Sequence, residues 1–168
     1  MKIKFVLTSF VAMLFMVVLS SCGSNSEMEK KLDGKWECTK YEEEDGMTMK
    51  MTETITYNYS ESGDNTFKST IKIAVTSPVY LEMGKVTYSG TWTASSDKLM
   101  GEIDKNSINF SLSSLLDASD KREFEKEFKS ELKNGDYIDG GKILSVSEDE
   151  LKLQDEEDHE IYNYKRIN

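Results

Sequence analysis

Between Met49 and Ala94 apolar and polar side chains alternate, and this period of two constrains the fold more than any other feature of the chain. Met51, Ile55, Tyr57 and Tyr59 fall on one face of a first segment, with Glu53 as the exception, while Thr52, Thr54, Thr56 and Asn58 fall on the other. After the turn residues Ser60 to Asn65, the apolar face resumes with Phe67, Ser69, Ile71, Ile73 and Val75. It resumes again, beyond a connection containing Pro78, with Val86, Tyr88, Gly90, Trp92 and Ala94. Alternation built from β-branched and aromatic residues is the pattern of half-buried antiparallel strands. Ser60 to Asn65 reads as a hairpin turn between two of them.

The same reading extends in both directions. Lys35 to Tyr41 is a first strand with Trp36 and Cys38 inward, ended by an acidic turn from Glu42 to Gly46. Leu99 to Ile103 is a fifth strand, and Ile108, Phe110 and Leu112 alternate as a sixth. The period then changes. Leu116, Phe124, Phe128 and Leu132 lie on one helical stripe, Asp120 and Glu123 resemble a capping box, and Asn134-Gly135 is a helix stop. One narrow apolar stripe suits a helix docked across a barrel end or along its outside. Lys142 to Val146, Leu151 to Gln154 and Glu160 to Ile167 return to strands, separated by acidic turns.

The first 21 of the 168 residues read as an address. Lys2 and Lys4 precede an apolar run from Phe5 to Leu19, which is short for a membrane span and suited to a signal-peptide core. Leu19-Ser20-Ser21-Cys22 matches the bacterial lipobox, in which the Cys is acylated and cleavage falls in front of it. Residues 1–21 are therefore predicted to be a signal peptide and Cys22 a lipidated N-terminus carrying acyl chains such as palmitate. Two or more such chains hold a protein stably on a membrane, at about 0.8 kcal/mol per buried methylene. Residues 22–31 read as a flexible linker and 32–168 as one domain. Gly23, rather than Asp, after Cys22 resembles an outer-membrane address in the sorting scheme of enteric bacteria, so the expected location is the cell envelope, on the outer membrane.

Past the leader the side chains carry 19 basic against 31 acidic residues, a charge of −12. That excludes nucleic acid as a partner and electrostatic docking on anionic headgroups. With Cys22 acylated, Cys38 has no disulfide partner. It reads as a buried small hydrophobe rather than a redox thiol.

From Asp33-Gly34-Lys35-Trp36 onward the chain resembles the lipocalin-like families, whose first strand opens with Gly-x-Trp. A basic residue on the last strand of that family packs over this Trp. Within Ile161-Tyr162-Asn163-Tyr164-Lys165-Arg166 the role falls to Arg166, with Lys165 as its neighbour and rival. The resemblance implies a mainly all-β fold, an antiparallel up-and-down β-barrel of about eight strands, here with one amphipathic helix. Such a barrel is either filled by its own side chains or holds one small ligand. Tyr57, Tyr59, Tyr88 and Trp92, on neighbouring strands, are the candidate lining of a ligand site. No Lys or Arg is placed among them, which favours a small apolar or amphipathic molecule over a carboxylate or phosphate head. The alternative is a filled scaffold that binds another envelope protein.

Enzymatic chemistry is not predicted. His159 is the single His and sits between acids, where a solvated surface position is expected. The acidic runs lack the Asp-x-Asp-x-Asp-Gly spacing that wraps oxygen ligands around Ca²⁺. Ser130-Glu131-Leu132-Lys133 spells Ser-x-x-Lys without its companion motifs. Neither a metal nor a cofactor is expected.

Overall fold

Period-two segments need a partner on each edge, and the chain satisfies them by closing on itself. The computed structural model describes residues 26–44, 46–77, 79–131, 138–156 and 159–168. The predicted signal peptide, Cys22, Pro78, Leu132 and Asn134-Gly135 lie outside the described residues. The strands are β1 (Gly34–Glu44), β2 (Met47–Asn58), β3 (Thr66–Ser77), β4 (Leu81–Ala94), β5 (Lys98–Ile103), β6 (Asn109–Leu112), β7 (Ile138–Val146), β8 (Glu150–Gln154) and β9 (Ile161–Arg166). Eight of them run β1-β2-β3-β4-β5-β7-β8-β9 and return to β1, every pair antiparallel. Closure leaves no free sheet edge around the ring, the usual weakness of an open meander.

Register fixes which side chains face in. Along β1 and β2, Trp36 stands opposite Ile55, Cys38 opposite Glu53, Lys40 opposite Met51 and Glu42 opposite Met49. Because paired residues share a face, all eight point inward with Trp36. β1 does not stop at Tyr41 as expected. It runs on to Glu44 because β2 starts at Met47 and pairs with it across a tight reversal, in which Gly46 adopts φ 76°.

The predicted sixth barrel strand is not part of the ring. β5 ends at Ile103, and a 3₁₀ turn, Lys105–Ser107, follows, capped by Asp104 accepting from the Asn106 amide at 2.9 Å. Ser107 Oγ donates to the Ser89 carbonyl at 3.0 Å and accepts from the Ser89 amide at 2.8 Å, which keeps the chain on the edge of β4. β4 therefore serves two strands on one edge, β5 along Gly90 to Ala94 and β6 along Gly84 to Thr87. At Gly90 a Cβ would run into the Glu102 carbonyl oxygen, so glycine permits this close crossing.

Two helices complete the domain. Residues expected to be linker form α1 (Ser26–Leu32), in which Leu32 is fully buried and Met28 packs against the core. The second, α2 (Ala118–Glu131), begins earlier than the predicted box implied. Asp117, not Asp120, is the cap, its Oδ1 accepting from the amides of Ser119 at 2.7 Å and Asp120 at 2.9 Å. The predicted stripe is buried at Phe124 and Phe128, whose rings meet Phe110 edge-on at 6.0 and 5.4 Å. Phe110 pairs with the inward Val86, so α2 packs on the inner face of β6. Among the described residues no helix is long and apolar enough to cross a membrane.

Candidate functional site

The barrel interior divides into two parts. Its lower end, where β1 begins, is plugged. Trp36 is 0% exposed, and its Nε1 donates to the Leu32 carbonyl at 2.8 Å, fastening the ring to α1. Arg166 pairs with Trp36 across β9 and β1, and its guanidinium lies 4.1 Å from the centre of the ring system. The same guanidinium donates to the carbonyls of Lys31 at 2.8 Å, Asp33 and Glu148. Gly34 adopts φ +123°, and a Cβ there would strike that guanidinium, which is why glycine precedes the Trp by two positions. Glu29 closes the plug from the helix side: it is buried, and its Oε1 accepts from the Ala94 amide at 3.2 Å.

Above this floor the candidate aromatic residues do not act as one group. Tyr57 meets Trp92 edge-on at 5.0 Å and Phe67 at 6.4 Å, and Phe67 meets Tyr88 at 6.1 Å. Tyr57, Tyr88 and Trp92 are buried in one aromatic layer, and Trp92 Nε1 donates to the Thr66 carbonyl at 3.0 Å. Tyr59 lies one residue past the end of β2 at Asn58, partly buried against the core. The Tyr59 amide donates to Asp33 Oδ1 at 2.8 Å and its ring lies 5.5 Å from Lys30 Nζ.

Where the layer ends, the interior becomes polar. Glu53, the exception in its strand's pattern, points inward and gathers three hydroxyls. Its Oε1 accepts from Ser69 Oγ at 2.8 Å and from Tyr88 OH at 3.2 Å, and its Oε2 from Tyr164 OH at 2.7 Å. Three strands, β3, β4 and β9, thus converge on one carboxylate from β2. Glu53 remains only half-buried although it lies midway along its strand, whereas Met49, nearer the upper end on the same inward face, is 3% exposed. Met47, Met51, Val75, Leu81 and Tyr162 are likewise partly exposed. Lys40, on the inward face of β1, is held there. Its Nζ lies 2.6 Å from Glu160 Oε2 and 3.4 Å from the centre of the Tyr162 ring, and its side chain is 11% exposed.

Cys38 lies at the boundary between the two parts, opposite Glu53 and buried. Burial, reinforced by the Glu53 charge and offset by Lys40, pushes its thiol up to about 11. A protonated, enclosed thiol fits the expected hydrophobic role.

The polar residues of this chamber were missed by reading aromatics alone. Lys40 shares the parity of Trp36 and Cys38, and Tyr162 and Tyr164 share that of Arg166, so strand alternation already placed them inside. A separate open depression of about 1040 Å³ lies between the 63–66 and 103–106 segments, lined by the exposed Thr91, Thr93 and Glu102 and by the buried Asn65, Trp92 and Ile103. His159 is exposed in the β8–β9 turn with φ 61°. Among the described residues no group of three or more His, Cys, Asp or Glu is placed to hold a metal ion.

No family model matches the chain, and no curated protein matches it. Among solved structures it is similar to a lipocalin-like protein from Bacteroides uniformis, with 13% identity, 82% of this chain and 99% of that chain covered, and a TM-score of 0.40. Strand order and contacts fix the fold independently of that likeness. Eight antiparallel strands in up-and-down order, closed by β9 on β1, with a first-strand Trp beneath a last-strand Arg, make this a closed up-and-down β-barrel.

Proposed function

We propose that the protein is a lipid-anchored lipoprotein of the bacterial cell envelope, on the outer membrane, whose barrel binds a small apolar or amphipathic molecule. The observation that supports binding is the contrast within the interior, a sealed floor at Trp36 beneath inward side chains at Glu53 and Met51 that stay partly exposed. A filled core would bury both. Apolar area buried in such a chamber contributes about 25 cal/mol per Å² before ordering costs, so a molecule of modest size reaches micromolar affinity. Anchoring rests on the Leu19-Ser20-Ser21-Cys22 motif.

Native mass spectrometry of the protein purified from its own host tests the binding half. A co-purifying small molecule is expected, and Met51→Trp, which fills the chamber without touching the floor, is expected to lose it. A wild-type protein that is always empty and does not respond to apolar fluorescent probes defeats this reading. Cys22→Ala tests the anchor: lipid labelling should vanish and the protein should leave the membrane fraction or persist as precursor. Unchanged labelling refutes lipidation.

A second reading, a scaffold for another envelope protein, draws on a different observation. Tyr41, Val79, Tyr80, Leu115 and Ile161 are exposed large apolar residues near the upper end of the barrel. An empty barrel together with loss of a captured envelope protein in Val79→Ser, Tyr80→Ser would favour it.

A further inference from the structure

Resting on the barrel-binding reading, we infer that the chamber selects molecules with an apolar body and a cationic amine head, and that Glu53 is the residue that receives the head. The carboxylate is fixed in place before any ligand arrives. Ser69, Tyr88 and Tyr164 donate three hydrogen bonds to it from three different strands. A carboxylate offers about four acceptor positions, so one direction is left for a further donor. The three partners are all neutral hydroxyls, and among the described residues no cation pairs with Glu53.

The chamber's own cation is already engaged. Lys40 lies two residues beyond Cys38 on the same inward face, but its ammonium is held between Glu160 and the Tyr162 ring. A ligand whose apolar body lies against the partly exposed Met51 and Val75 brings its head to an uncompensated negative charge at half-burial. There an ammonium gains a charge-assisted hydrogen bond, an alcohol gains a neutral one, and a carboxylate meets a like charge in a medium less polar than water. Aromatic faces at this depth add to the preference for a cation, as the Lys40 contact with Tyr162 illustrates. The protein's net charge of −10 acts in the same direction by drawing cations toward it.

Three probes with one twelve-carbon chain and different heads separate this inference from the reading beneath it. Dodecylamine, dodecanol and dodecanoate are titrated calorimetrically into the purified full chain below their aggregation concentrations. The amine should bind at least tenfold more tightly than the carboxylate, with the alcohol between. Glu53→Gln keeps the shape and the hydroxyl partners, and should weaken the amine about tenfold while leaving the alcohol within twofold. The wild-type series needs no variant, so misfolding of Glu53→Gln, checked by its melting curve, leaves the test intact. Equal affinity for amine and carboxylate overturns the head-group assignment and leaves barrel binding standing. An amine preference that survives in a folded Glu53→Gln moves the receiving residue elsewhere and overturns the role of Glu53. Binding of none of the three overturns both.

Discussion

The lower and upper parts of this barrel use the same strands for opposite ends. In the lower part, inward groups fit their neighbours: Trp36 under Arg166, Leu32 against Trp36, Tyr57 edge-on to Trp92. In the upper part, the same β1 and β2 present Lys40, Glu53 and Met51, each of which stays partly exposed. Packing of the first kind yields stability, because a dense interior gains dispersion and excludes water. The second kind leaves part of that stability unused, which is the usual signature of a site built for something else. Residues two positions apart on one strand therefore answer to different demands.

The largest expected effect falls on the floor. Trp36→Ala removes the most enclosed ring and the anchor of α1, and should destabilise by about 3–5 kcal/mol in denaturant unfolding. A loss below about 1 kcal/mol, the range of surface changes, would place the ring outside the core and dissolve the distinction between the two parts.

That floor was the most legible part of the chain. Gly34, Trp36 and a basic residue on the last strand have the spacing of a known family, and alternation along β2, β3 and β4 is a dense local signal. What escaped depends on contacts distant in sequence. Ser26 to Lys31 looked like linker because Met28 is its one apolar residue before Leu32. Its helicity depends on docking against Trp36 and on Glu29 reaching Ala94, 65 residues away. The Ser-x-x-Glu from Ser26 to Glu29 was the one local hint. Glu53 was visible as a break in the pattern, but its meaning lies in Tyr164, 111 residues on, and in Tyr88 and Ser69, which only closure brings to it. β6 was read as a barrel strand because alternation reports pairing and not which edge is taken.

The comparison sharpens with two substitutions on one face of one strand. Ile55 and Met51 both point inward on β2, four residues apart, with Glu53 between them. Ile55→Ala, in the packed part, should cost about 2–5 kcal/mol. Met51→Ala should cost less than about 1.5 kcal/mol, since the side chain is partly exposed and less apolar area is lost from burial there. Equal losses would mean that the interior is uniformly packed, and the ligand reading would lose its footing.

A smaller effect belongs to Arg166. Its stacking on Trp36 contributes roughly 0.5–2 kcal/mol, and water can take over the carbonyls it caps, because those bonds lie near solvent. Arg166→Met, which keeps the apolar stem over the ring, should therefore lose about 1–2 kcal/mol, less than Trp36→Ala. A loss matching Trp36→Ala would make Arg166, rather than the ring, the keystone of the plug.

The smallest perturbation changes no residue and locates the boundary itself. Cys38 stands between the packed floor and the chamber, and burial raises its thiol from an ordinary 9.0 to about 11. The thiolate is the reactive form, so at pH 8, below both values, two pH units of difference make the reactive fraction about a hundredfold smaller in the folded protein. Labelling with a neutral thiol reagent should accordingly be at least a hundredfold slower in the native state than in denaturant, steric shielding adding to the ionisation effect. The rate should climb tenfold per unit as pH rises from 8 toward 10 in the folded state, whereas the unfolded thiol levels off above pH 9. Native labelling as fast as in denaturant would mean that water and reagent pass the Glu53 level freely. The floor would then begin at Trp36 alone, and the chamber would run a full residue pair deeper than the hydroxyl cluster suggests.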